Sequence, residues 1–104
     1  MIVVSIETVP GREVVEVLGL VRGNAVRARG LVFDITAAIR NLLGGRIPEY
    51  AELITQSRDE ATAAMVAEAE ALGADAIVTI RYSTSMIGGG FAEILAYGTA
   101  VKLR

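Results

Sequence analysis

The chain has no cysteine and no histidine among its 104 residues. Without cysteine there can be no disulfide framework, thiol nucleophile or thiolate ligand. Without histidine there is no imidazole base and no imidazole nitrogen for zinc. Any metal would have to be held by carboxylate, hydroxyl or carbonyl oxygens, which favours hard ions. There is no basic excess either. The formal net charge is −2, and Lys102 is the one lysine beside nine arginines. A phosphate footprint needs clustered cations, so no nucleic-acid partner is expected. No apolar run reaches the ~18 residues that span a bilayer. The run Ile2–Ile6 is too short for a signal-peptide core and lacks a basic flank. A cytoplasmic location without a membrane partner is expected.

What the chain does have is apolar material. Hydrophobic residues make up 53% of it, slightly above the usual ~45–50%. The length fits a single domain spanning residues 1–104. Ile2–Ile6 and Glu13–Val21 read as strands, the second continuing towards Arg27. Gly19 and Gly23 within it predict a bulge or a close backbone approach. Asp34 can cap a helix carrying Ile35, Ala38, Ile39, Leu42 and Leu43 on one side, ended by Gly44-Gly45.

Pro48 and Glu49 then suit the first turn of a second helix, which Gly73 stops. Its stripe is Tyr50, Ile54, Ala61, Met65, Ala69 and Leu72. The stripe keeps phase, which predicts one continuous helix of about 24 residues, ~36 Å long. That length matches a final hairpin, Ala76–Met86 and Phe91–Leu103, joined at Gly88-Gly89-Gly90. The expected class is α+β: two layers, an antiparallel sheet of about four strands on two helices, in the order β-β-α-α-β-β.

The final hairpin is apolar on both faces. Val78, Ile80, Tyr82, Thr84 and Met86 are expected to oppose Ile77. Phe91, Leu95, Tyr97, Val101 and Leu103 oppose Ile94, Ala96, Gly98 and Ala100. A sheet wet on one side should alternate apolar and polar residues. One helical layer covers one face, so the other is expected to be covered by a further copy of the chain.

Several blocks resemble a known family. They are Leu20-Val21-Arg22-Gly23, Glu49-Tyr50, Arg58-Asp59-Glu60-Ala61 with Met65, Leu72–Val78, Arg81-Tyr82, Thr84-Ser85 and Ala96–Val101. In order and spacing the chain resembles the YbjQ-like family, which carries a heavy-metal-binding label. The resemblance implies a dodecin-like α+β subunit and a homopentameric ring, with no established catalytic activity. A soft metal wants thiolate or imidazole, so the missing cysteine and histidine weigh against that label.

Candidate site residues follow from charge and position. Glu49, Glu52, Asp59 and Glu60 form a carboxylate set for Mg²⁺, Ca²⁺ or Mn²⁺, or an ordinary solvated helix face. Glu49, Tyr50, Arg58 and Arg81 are candidate ligand contacts. Arg81, among apolar neighbours, is expected either to grip an anion or to pair with Asp59 or Glu60. Arg22, Arg27 and Arg29 form a loose basic cluster that reads equally as a protected strand edge. Ser83, Thr84 and Ser85 have no base to activate them. The expected function is a non-enzymatic homo-oligomeric binding module for a metal ion or small anion. The alternatives are a scaffold ring using the Gly88–Gly90 tips, or a carboxylate-metal hydrolase.

Overall fold

The computed structural model describes residues 1–28, 48–87 and 91–104, and only the backbone at 27, 28, 48–51, 53, 86, 87, 91 and 92. The helix expected after Asp34 and the Gly88–Gly90 connection lie outside the described residues. Four strands and one helix follow one another as β1 (Ile2–Val3), β2 (Val14–Ala28), α1 (Pro48–Ala71), β3 (Ala76–Ile87) and β4 (Phe91–Leu103). They form a single sheet ordered β1-β3-β4-β2, with α1 on one face. The sheet is mixed rather than antiparallel throughout, because β1 runs parallel to β3.

Helix α1 is unbroken over 24 residues, as its phase predicts. Ala61, Met65 and Ala69 are fully buried against Val21, Ala25, Ile77, Ala96 and Ala100. Burying Met65 and Val21 contributes about 1.5–3 kcal/mol each. The helix lies over β2 and β4 and barely meets β3, so it does not follow the final hairpin as its length suggested. Small side chains decide this. Gly23 faces the helix, and a Cβ added there would stand 2.3 Å from the Ala61 carbonyl and 2.4 Å from the Met65 nitrogen. Only a residue without a side chain lets the two backbones approach so closely. Leu72 falls outside the stripe and is exposed, because the helix ends at Ala71 and the chain turns away through Gly73 at φ +76°.

Besides a shift between Val14 and Glu16 near the start of β2, two irregularities set which residues face the helix. In β2 the register shifts between Val17 and Gly19, with Gly19 at φ +125°. In β3 it shifts between Val78 and Arg81, where Thr79 takes a left-handed φ of 55°. The second shift reverses the parity read from the sequence. Val78 packs on the far side with Val101, while Ile80 packs on the helix side.

The N-terminal segment is strand over Ile2–Val3 only. Val3 packs on the helix side, after which the chain crosses to the far side. There Val4, Val9 and Val14 pack on Ala76, Val78, Val101 and Leu103. The crossing is fastened by Val4 N–H donating to Ile77 O at 3.0 Å and Thr79 N–H to Ile6 O at 2.9 Å. One end of the far face is therefore covered by the chain itself, which the hairpin pattern did not anticipate.

Candidate functional site

The rest of the far face carries the candidate site. From Leu20 to Val26, β2 alternates cleanly. Val21, Gly23 and Ala25 turn to the helix and are buried, while Leu20, Arg22, Asn24 and Val26 turn outward and are exposed. Opposite them on β4 lie half-buried Glu93, Leu95, Tyr97 and Thr99. On β3 the same face continues as exposed Arg81, Ser83 and Ser85. Val17 and Leu20 remain 65% and 61% exposed. The outer face thus mixes Val17, Leu20 and Val26 with Arg22 and Asn24 along β2 and is polar along β3.

Two depressions open here, one on this face and one at the edge of β2 that α1 also lines. One, of about 430 Å³, lies where the crossing N-terminal segment meets β2. Its floor is Val78 and Val101, its wall is Val17, and Glu7, Arg12 and Glu13 stand at its rim. Arg104 fixes that rim: its carbonyl accepts from Arg12 Nε at 3.1 Å and its Nη1 lies 3.4 Å from Glu13 Oε2. The other, of about 350 Å³, lies at the β2 flank between Arg22, Asn24, Glu68 and Glu93. There Glu93 ties three strands together. It accepts from Asn24 Nδ2 at 3.1 Å and from Ser85 Oγ at 3.3 Å.

Of the candidate ligand residues, the two whose side chains are described, Arg58 and Arg81, do not come together. Arg58 is exposed on α1, whereas Arg81 pairs with Tyr97 on the face turned away from the helix. Arg81 is not buried among apolar neighbours. Its Nη1 donates to the carbonyls of Ser5 and Ile80 at 2.8 and 2.7 Å, holding the N-terminal crossing in place. It serves the fold where a salt bridge to Asp59 or Glu60 had been one expectation. The side chains of Glu49 and Tyr50 lie outside the described residues, as do Arg29 and the side chain of Arg27. Tyr82 crosses to the helix, its hydroxyl 2.7 Å from Thr62 Oγ1.

Glu52, Asp59 and Glu60 are exposed along α1. Among the described residues no three Asp or Glu side chains converge as a metal cage. The Glu93 network and the Arg12–Arg104 rim gave no sequence signal. Each joins residues more than sixty positions apart without a motif.

A family model described as "Putative heavy-metal-binding" matches residues 1–104. A UPF0145 protein of Halorubrum lacusprofundi is 58% identical over 98 residues, 94% of each chain. One from Archaeoglobus fulgidus is 52% identical over 104 residues, all of this chain and 96% of that one. Among solved structures, a Pediococcus pentosaceus protein of unknown function from the DUF74 family superposes with a TM-score of 0.67. It is 17% identical and covers 100% of this chain and 98% of its own, a likeness of fold alone. The described donor set does not fit a soft heavy metal. Thiolate and imidazole are missing from the whole sequence, and the described carboxylates do not cluster.

Proposed function

The chain belongs to the YbjQ-like UPF0145 family, and on that premise we propose that it acts as a non-enzymatic binding module assembled from copies of itself. One observation carries this reading. Val17, Leu20 and Val26 stand exposed in a row beside Leu95 and Tyr97, on a face the chain's own N-terminus covers only in part. Arg22 and Asn24 stand between Leu20 and Val26 in that row, with Arg81 across β4, and such a mixture of apolar and polar side chains is what a self-association surface presents. The assembly is a ring of five, a number taken from the family resemblance. The ligand is a small anion or an oxygen-seeking cation, held where copies meet. Arginine and carboxylate side chains supply the contacts, since thiolate and imidazole are lacking. Absent thiol and imidazole groups support a binding role over a catalytic one.

Native mass spectrometry tests this, run on purified protein with and without phosphate, Mg²⁺, Mn²⁺ and Zn²⁺. The expected species is a multiple of 10.9 kDa that gains a discrete adduct with phosphate, Mg²⁺ or Mn²⁺ and none with Zn²⁺. A persistent 10.9 kDa monomer without adducts would end this reading.

A further inference from the structure

The depression beside the N-terminal crossing joins an apolar floor to a rim that carries both signs of charge. Val78 and Val101 form the floor and Val17 the wall. Its volume of about 430 Å³ falls within the ~300–1,000 Å³ of small-molecule sites. Every lining residue comes from one chain. The site therefore stands apart from the self-association reading, with which it shares only Val17.

Local chemistry positions the rim. Pro10 and Gly11 make a turn, with Gly11 at φ +80° and Arg12 N–H donating to Val9 O at 3.0 Å. Val9 is itself buried against the far-side core, so the turn is anchored. The Arg12 guanidinium commits Nε to the Arg104 carbonyl at 3.1 Å, and its two Nη groups have no partner among the described residues. Glu13 faces Arg104 at 3.4 Å, whereas Glu7 forms no ion pair among the described residues. One cation and one anion thus remain unanswered beside three valines.

That combination selects among ligands. A fatty acid would set its carboxylate beside that of Glu7. An amine would set its ammonium beside Arg12. Inorganic phosphate would leave the valines uncovered. A zwitterion with an apolar side chain meets all three demands: carboxylate on the Arg12 fork, ammonium on Glu7, side chain over Val17, Val78 and Val101. We propose that this depression binds a free α-amino acid with a branched apolar side chain, of the leucine class.

Calorimetric titration of the purified chain with L-leucine tests it. Three controls each lack one feature: 4-methylpentanoate the ammonium, 3-methylbutylamine the carboxylate, glycine the side chain. Leucine should bind once per chain, and each control at least about tenfold more weakly. Glu7→Gln should lower the affinity for leucine to that of the parent for 4-methylpentanoate, without weakening 4-methylpentanoate itself. Glu7 makes no bond within the described fold, so this variant should keep the parent's circular dichroism. Arg12→Gln should make leucine bind no better than 3-methylbutylamine. If Arg12→Gln loosens the crossing, Glu7→Gln and the parent's ligand series decide. Absence of leucine binding at millimolar concentration overturns the proposal. So does 4-methylpentanoate binding the parent as tightly as leucine. A monomer that binds leucine with this selectivity would sink the self-association reading and uphold this site.

Discussion

The two faces of this sheet meet very different fates. On the helix side, Val21, Ala25, Ala96 and Ala100 are at most 4% exposed, and one glycine lets backbone touch backbone. On the far side, residues of equal hydrophobicity one position away, Leu20 and Val26, remain wet. Composition alone does not separate them. What differs is whether a partner element from the same chain reaches that side, and the N-terminal crossing reaches only one end. Among the described residues the inner face is covered by α1, whereas the outer face is covered only at the end that the N-terminal crossing reaches.

The contrast can be broken most severely at Gly23. Gly23→Val should cost more than about 4 kcal/mol, because the new atoms collide with helix backbone rather than a movable side chain. Urea unfolding would detect this as a lost transition, and a near-native midpoint would mean that the helix docks farther out. Next, Met65→Ala and Leu20→Ser form a matched pair across the sheet. The first should lose about 3 kcal/mol through a buried cavity. The second should shift the dissociated chain by less than about 0.5 kcal/mol. Equal losses would erase the distinction between the faces. Tyr82→Phe removes the 2.7 Å link to Thr62 and should cost about 1 kcal/mol in the same assay. Smallest of all, Glu13→Gln breaks an ion pair whose side chains are 69% and 77% exposed. Thermal melting should move by less than the equivalent of about 0.5 kcal/mol. A larger shift would show that the Arg104 rim holds the N-terminal crossing.

Elements set by local chemistry were legible in the sequence. Proline at the start and glycine beyond the end bound α1, and Gly19 and Gly23 marked a bulge and a close approach. What stayed hidden depends on distant partners. A two-residue strand has no periodicity, so the parallel pairing of Ile2 and Val3 could not be foreseen. Arg81 was expected to grip an anion or pair with a carboxylate, but it donates to two backbone carbonyls. The Glu93 network joins three strands through polar residues that read as solvent-facing singly. The paired carboxylates of α1 were legible as a set, but extended spacing along an exposed helix does not make a cage.

Thr79 has a consequence for how this chain can vary. A β-branched residue at φ 55° is strained, and glycine or asparagine would sit there more comfortably. Deleting it would be another matter. The strand would regain strict alternation with Val78, Ile80 and Arg81 on the sides they hold now, but the N–H that donates to Ile6 O at 2.9 Å would be gone. The extra residue therefore bears on the hold over the N-terminal crossing and not on the sidedness of the strand, so lineages lacking it should keep the same inward and outward positions while altering the segment around Ile6.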